Sequence, residues 1–375
     1  MNLRGRDEKD IGGETTARRF LLGAGFSKPA GLPLANELLP MALDVARIHL
    51  SVDQFSHLED ALTRYQKYLL DTSGSDLIDI EQFGAWLDWD HMLQMQGSDT
   101  FSDFGNEAGL QLRWAIGKVI NESTPAELPD VYLEFASQLN STDHILTLNY
   151  DLILEKALDA VGLPYRRFPD RFSEVYESHQ IINPSQPDEV VIHKLHGSID
   201  WTYLWGDSVK GHPGTVQLVE GPRHIDDPLN QIGVIPQHLL NEHYKRRSNW
   251  HSSPSLLLPP STAKPLARSP LVPIWRGIGT GAGWLGGFIM IGCSLPPGDP
   301  YVKQFVYQNV TEYAIARRIQ AMPWPQRKMK VVDLRREATE IEFYKHQLRF
   351  FDPDSTVFHL EGFDQASLEV IFQED

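Results

Sequence analysis

Arg19-Phe20-Leu21-Leu22 runs directly into Gly23-Ala24-Gly25-Phe26-Ser27. A short, largely apolar run that stops at a glycine pair reads as a buried strand entering a tight turn. Beyond it, Leu34, Leu38, Leu39, Ala42, Val45 and Ala46 recur at helical spacing as far as about Leu50. Strand, glycine turn, helix is the first unit of a doubly wound α/β sheet. Gly23 and Gly25 let the backbone approach a pyrophosphate, and a helix N-terminus presents N–H groups to it. The same residues equally suit a plain strand-to-helix connection, because a glycine pair alone specifies no ligand.

Outward from this unit the α/β rhythm breaks and then returns. Residues 53–140 space their apolar side chains as helix faces, with Leu58, Leu62, Tyr65 and Leu69 in one run and Phe83 and Leu87 in another. They predict a helical insertion or small helical subdomain. His144-Ile145-Leu146-Thr147-Leu148 predicts a strand, Leu152 to Val161 a helix, and Val190-Val191-Ile192-His193 a further strand. Residues 206–275 are rich in Pro, Gly, Ser and His and largely aperiodic, so they read as a long loop region of the kind that forms lids or contact surfaces. Gly287–Gly292 predicts a strand, Pro300 to about Ala321 a helix, and Lys330–Leu334 and Thr356–Leu360 the last strands. Residues 1–17 read as a flexible lead-in and 18–375 as one domain. The fold expected is a Rossmann-like doubly wound parallel sheet with a helical insertion and no zinc module.

The composition excludes several classes. A hydrophobic content of 41% suits a soluble globular chain and rules out a disordered one. With 34 Lys+Arg against 50 Asp+Glu the formal net charge is −16, which repels phosphate backbones and argues against direct nucleic-acid binding. Cys293 is the single cysteine, so neither an intrachain disulfide nor a multi-cysteine zinc site can be built. It reads as a small buried side chain. No apolar run reaches the roughly 18 residues of a membrane helix. Met1 to Thr16 lacks the apolar core of a signal peptide. The chain is read as cytoplasmic.

Further segments place polar residues at predicted strand ends, where open α/β sheets bind ligands. Asn149 and Asp151 lie just beyond the strand that ends at Leu148. Asn149 also suits a turn, and Asp151 a helix N-cap. His196, in Lys194-Leu195-His196-Gly197-Ser198, sits where a general base would, and equally where a hydrogen-bonded polar residue would. His193 and His196, three apart on a strand, face opposite sides and form no metal pair. Gly292 and Ser294 follow the next strand and suit ribose or phosphate contact. Asp333 ends the strand after that, where an acid commonly accepts hydrogen bonds from ribose hydroxyls. Ordinary turn chemistry accounts for these residues as well. Gly281-Ala282-Gly283-Trp284-Leu285-Gly286 also spells a glycine fingerprint, but it precedes a strand and reads as a loop.

In chain order, Gly23-Ala24-Gly25-Phe26-Ser27, Asn149-Tyr150-Asp151, His196-Gly197-Ser198 and Gly292-Cys293-Ser294-Leu295 resemble the motifs of the sirtuin family. Gly31-Leu32-Pro33 resembles the Gly-Ile-Pro that follows the first of them. The likeness spans about Arg19 to Leu334. It departs from deacylating sirtuins in lacking the four-cysteine zinc module, in Leu34-Ala35 where Phe-Arg is typical, and in Leu148 where Gln is typical. No acyl-lysine groove segment is evident. Leu146–Asp151, Lys194–Trp201 and Ser294–Asp299 are similar instead to bacterial sirtuin-like proteins of anti-phage defence that hydrolyse NAD, as is Leu258-Pro259-Pro260 with Lys264.

The resemblance implies that NAD is the substrate and that its nicotinamide–ribose bond is cleaved. Asn149 would position a water, or the ribose, beside the anomeric carbon. His196 would accept a proton from that water or from a ribose hydroxyl, and Asp151 would hold the nicotinamide carboxamide. Gly23, Ala24, Gly25 and Ser27 would bind the pyrophosphate, and Gly292, Ser294 and Asp333 would lie along the adenosine half. No metal is expected. Two other classes use the same motifs: a deacylase or ADP-ribosyl transferase with another nucleophile, and a module that senses NAD or ADP-ribose without turnover. The missing zinc module counts against the first, and Asn149 with His196 against the second. The resemblance also implies control by assembly, as a homo-oligomer or beside a separate protein such as a helicase-like ATPase or an Argonaute-like protein. Residues 53–140 and 206–275 would be the contact surfaces. Lys245-Arg246-Arg247 suits an acidic partner or a solvated charge run. Neither direct nucleic-acid contact nor membrane association is expected.

Overall fold

Phe20 and Leu22 of β1 (Arg18–Leu22) point to one face of a sheet and Leu21 to the other, and all three are buried. Only a strand covered on both sides needs such a pattern. The computed structural model describes residues 17–93, 95, 106–167, 172–175, 180–182, 189–203, 232–247, 249–252, 254–257, 271–275, 278–295 and 300–373. The lead-in at 1–16, all of 204–231, Leu258-Pro259-Pro260 with Lys264, and Pro296–Asp299 lie outside the described residues.

β1 is joined in one sheet by β2 (His144–Thr147), β3 (Tyr165–Arg167), β6 (Val190–Lys194), β10 (Gly287–Ile291), β11 (Met329–Val332) and β12 (Thr356–His359). The order is β12-β11-β10-β1-β2-β6-β3, and every pair is parallel. Without the edge strand β3, this is the doubly wound order of Rossmann-like sheets. The chain moves outward from β1 to β2 and β6, then returns to the other side of β1 at β10. The reversal therefore lies between β1 and β10, and the crevice it opens is at the C-terminal ends of the strands. A hairpin of β4 (Phe172–Val175) and β5 (Gln180–Ile182) and a small antiparallel sheet of β7 (Gly197–Tyr203), β8 (Ile232–Val234) and β9 (Ser255–Leu257) complete the strands.

Charge enters this sheet only with partners. Arg18 makes a two-pronged bond to Asp143, Nε to Oδ1 at 2.9 Å and Nη2 to Oδ2 at 2.6 Å. Arg19 is also buried. Its Nη1 donates to Ile278 O at 3.0 Å and to Asn309 Oδ1, and burial lowers its pKa to about 10. Removing either partner would strand a buried charge, which is costly.

The glycine turn after β1 leads into α1 (Ala24–Ser27), a single short turn, followed by a 3-10 turn at Lys28–Ala30. Gly31, at φ 90°, then reverses the chain. The helix expected from Leu34 is α2 (Ala35–His49), so it begins ten residues beyond the turn instead of opening on it. Next come α3 (Val52–Ser73), α4 (Ile80–Met92), α5 (Glu107–Ser123) and α6 (Asp130–Ser137), which form the helical insertion. Three of the four starts are capped by a side chain, whereas α6 follows Pro129 without one. Ser51 Oγ accepts from Gln54 N–H, Asp79 from Glu81 and Gln82, and Asn106 from Gly109. Helix α5 is buried on every side, from Leu110 to Ile120 without a break. It packs against α2, α3 and α4, and also against β7 and β9. These helices, with α7 (Ile153–Val161) and α13 (Gln365–Phe372), cover one face of the main sheet.

The other face is covered by α10 (Val272–Trp275), α11 (Pro300–Arg318) and α12 (Ala338–Gln347). The region expected to be a long loop holds more structure than its composition suggests. It contains β8, β9, α8 (Gln237–Lys245), α9 (Asn249–Ser252) and α10. Helix α8 escapes a periodicity reading because it is one short amphipathic run. Leu240, His243 and Tyr244 are its buried residues, and the Tyr244 hydroxyl donates to Ile199 O at 2.7 Å. Lys245, Arg246 and Arg247 at its end are exposed.

Candidate active site at the strand ends

The turns after β1 and β10 are joined by backbone hydrogen bonds. Gly23 N–H donates to Ile291 O at 2.9 Å, and Gly25 N–H to Gly292 O at 3.0 Å. A Cβ on Gly25 would sit 2.6 Å from Gly292 Cα, and Gly292 itself holds φ at 65°. Both glycines are required by this crossing of two chains. Phe26 N–H is also used, donating to Gly23 O at 2.9 Å. Ala24, between the two glycines, is exposed. It is the part of the turn open to a ligand, and α1 is too short to add much macrodipole.

Asn149 and Asp151 follow β2, and a chain of hydrogen bonds ties both to the first turn. Asn149 Nδ2 donates to Gly23 O at 2.8 Å and to Ser27 Oγ at 3.0 Å. Ser27 Oγ donates to Asp151 Oδ2 at 2.7 Å, and Asp151 Oδ1 accepts from Ile153 N–H at 2.9 Å. Ser27 is 2% exposed and Asn149 9% exposed. Both amide hydrogens of Asn149 are thus spent. Its Oδ1 accepts no hydrogen bond among the described residues, so the side chain presents an acceptor to the crevice. Burial raises the pKa of Asp151, and the nearby Lys194 ammonium and the hydrogen bonds from Ile153 and Ser27 offset part of that rise.

Lys194, at the end of β6, is fully buried beneath this turn. Its Nζ donates to Asp151 O and pairs with Glu155 Oε1 at 3.1 Å. Sequence reading assigned no role to Lys194 or Glu155; a buried ammonium on a strand end leaves no periodic trace.

His196 lies past the end of β6, so strand alternation does not govern its direction. Its Nε2 is 2.8 Å from the Tyr301 hydroxyl. The rings of Trp275 and Tyr301 each stand 6.1 Å from the imidazole, and that of Tyr150 stands at 6.4 Å. Trp275 Nε1 donates to Leu195 O at 2.9 Å, which fixes the indole beside the turn. Gly197 holds φ at 90°, and a Cβ there would meet Leu256 O at 2.0 Å. The His-Gly-Ser turn is therefore pressed onto β9. Tyr301 and Trp275 went unread in the sequence because one opens a helix and the other lies in the aperiodic region.

The remaining candidates spread along β10 and β11. Ser294 is exposed beyond β10. Cys293 is buried, and that burial pushes its thiol pKa well up, which disfavours the thiolate. Asp333 caps β11 with its carboxylate engaged. Oδ1 accepts from Leu334 N–H at 2.8 Å and Oδ2 from Arg335 Nη2 at 2.9 Å. Burial raises its pKa, and Arg335 offsets part of the rise. The structure thus brings Gly23, Ser27, Asn149 and Asp151 into one bonded cluster and Gly25 onto Gly292. His196 stands at the adjoining strand end, while Asp333 is held within its own local network.

Among the described residues, no group of three or more His, Cys, Asp or Glu side chains is placed to hold a metal ion, and no helix is long and apolar enough to cross a membrane. A comparison with curated proteins gives no match. Residues 143–219 match the family model of the SIR2-like domain, a segment that carries Asn149, Asp151 and His196. The match is consistent with NAD-dependent activity and supports a sirtuin-like family for this chain.

Proposed function

We propose that the protein hydrolyses NAD at the bond between nicotinamide and ribose, giving nicotinamide and ADP-ribose. The observation that carries this reading is the orientation of Asn149. With both its amide hydrogens donated to Gly23 O and Ser27 Oγ, its Oδ1 is the group left to accept from a water or a ribose hydroxyl. Asn149 and His196 together, a water-positioning amide beside a base, favour turnover over sensing. His196 at the neighbouring strand end supplies the base.

In the reaction, the C–N bond breaks and its electron pair leaves with the pyridinium, which departs neutral. The anomeric carbon takes oxocarbenium character. Water held by Asn149 Oδ1 adds its oxygen to that carbon, and its proton passes toward His196. The Ala24 backbone, the exposed part of the first turn, lies where the resemblance puts the pyrophosphate. The bonding of Ser27 within the Asn149–Asp151 cluster favours a positioning role for its hydroxyl. The same resemblance supports a biological role as a gated effector that depletes NAD during anti-phage defence.

The test is incubation of the chain with NAD and no added peptide, followed by quantification of products. Equal amounts of free nicotinamide and ADP-ribose are expected. Product only in the presence of an acylated peptide would instead mark a deacylase. NAD binding without product, under every condition, would mark a sensor.

A further inference from the structure

We infer that Tyr301 is the proton relay between the crevice and His196, an inference that rests on the hydrolytic reading above. The Tyr301 hydroxyl is 2.8 Å from His196 Nε2, a distance at which a proton passes between heavy atoms without rearrangement. His196 is only 4% exposed, whereas Tyr301 is half-buried, so the phenol is the more accessible member of the pair. Tyr301 is the second residue of α11, so its backbone is anchored in a long helix. Its ring packs edge-on against Trp275, with centroids 5.0 Å apart, and Trp275 is itself bonded to Leu195 O beside the histidine. The hydroxyl is therefore held against Nε2 from two sides.

The step balances without any further reactant. As water adds to the anomeric carbon, its proton moves to the Tyr301 oxygen, and the Tyr301 hydroxyl proton moves to His196 Nε2. The phenol ends as it began, the imidazole becomes imidazolium, and nicotinamide leaves with the electron pair of the broken C–N bond. The opposing view is that Tyr301 merely plugs Nε2 and must swing aside for the substrate.

Tyr301→Phe separates the two, because it keeps the ring on Trp275 and removes the hydroxyl. The relay predicts a fall in kcat of about 10²-fold with KM for NAD within about twofold, and no additional loss when combined with His196→Ala. A plug predicts unchanged or higher kcat, and that result would overturn the relay. Should the Phe variant fold poorly, fluorotyrosines at position 301 keep ring and hydroxyl while changing phenol acidity. A kcat that follows the acidity supports the relay, and one indifferent to it overturns it. If the wild-type chain releases no nicotinamide, the hydrolytic reading fails by itself. The coupling is then read on the ¹⁵N resonances of the His196 ring, which move in Tyr301→Phe if the pair is coupled and stay in place if it is not.

Discussion

Ser27 distinguishes two accounts of one side chain. If its hydroxyl positions Asn149, as its bonds to Asn149 and Asp151 suggest, then Ser27→Ala lowers kcat about tenfold and leaves KM nearly unchanged. If it binds pyrophosphate, KM rises instead, and steady-state kinetics on NAD separate the outcomes. Asn149→Ala is expected to cost about 10²-fold or more in kcat with NAD binding retained, checked by turnover and calorimetry. A buried histidine away from this cluster is expected to weaken the fold in acid. Burial lowers the pKa of His193 from 6.5 to about 3. The unfolded chain binds that proton below pH 6.5 and the folded chain does not, so stability is full above pH 6.5 and falls as pH drops toward about 3. His144, lowered to about 4, adds in the same direction. Asp151 and Asp333, with raised values, act oppositely, because protonating them in the folded state removes a desolvation cost. Urea midpoints at neutral and acid pH are expected to diverge in the wild type and to diverge less in His193→Gln.

Among elements, the turn that ends β6 is the most tightly specified. Gly197→Ala meets both a left-handed backbone and the Leu256 carbonyl at 2.0 Å. A cost of about 3 kcal/mol or more is expected, with loss of turnover as His196 shifts. Gly162, left-handed at φ 70° with open space around it, is the control. Its Ala variant is expected to lose only about 1 kcal/mol, read by thermal or chemical melts. Six strands of the main sheet were legible because each is a short apolar run closed by a polar or glycine turn, as in Phe20 to Gly23 or Ile289 to Gly292, whereas the edge strand Tyr165-Arg166-Arg167 has no apolar run and was not. The insertion was legible from the spacing of Leu58, Tyr65 and Leu69 on α3. The partners of His196 were not. Tyr301 reaches it from a helix 105 positions away, and no local pattern records such a contact. Helix α2 was legible from Leu34 to about Leu50, but the short α1 and the 3-10 turn that separate it from the glycine turn were not, because they have no apolar period.

For the molecule as a whole, an unrestrained NAD hydrolase would drain the cell that makes it, so we expect activity to rise with assembly. Turnover per chain is expected to increase with protein concentration or with a co-expressed partner. Constant, high activity from a monomer at every dilution would refute this. Leu77, Trp89 and Leu93 are exposed on the helical insertion, and we propose that such contact would be made there. The insertion is nonetheless no removable module. Helix α5 runs through the protein with its flanks shared between the insertion and the small sheet, and a Cβ on its Gly117 would collide with the Tyr244 hydroxyl. A recombination event that lifted the insertion out would also unseat β7 and β9, and with them the turn that carries His196. In deuterium exchange the amides of α5 should therefore be among the last to label. They should be released together with those of β7, so that neither part breathes without the other.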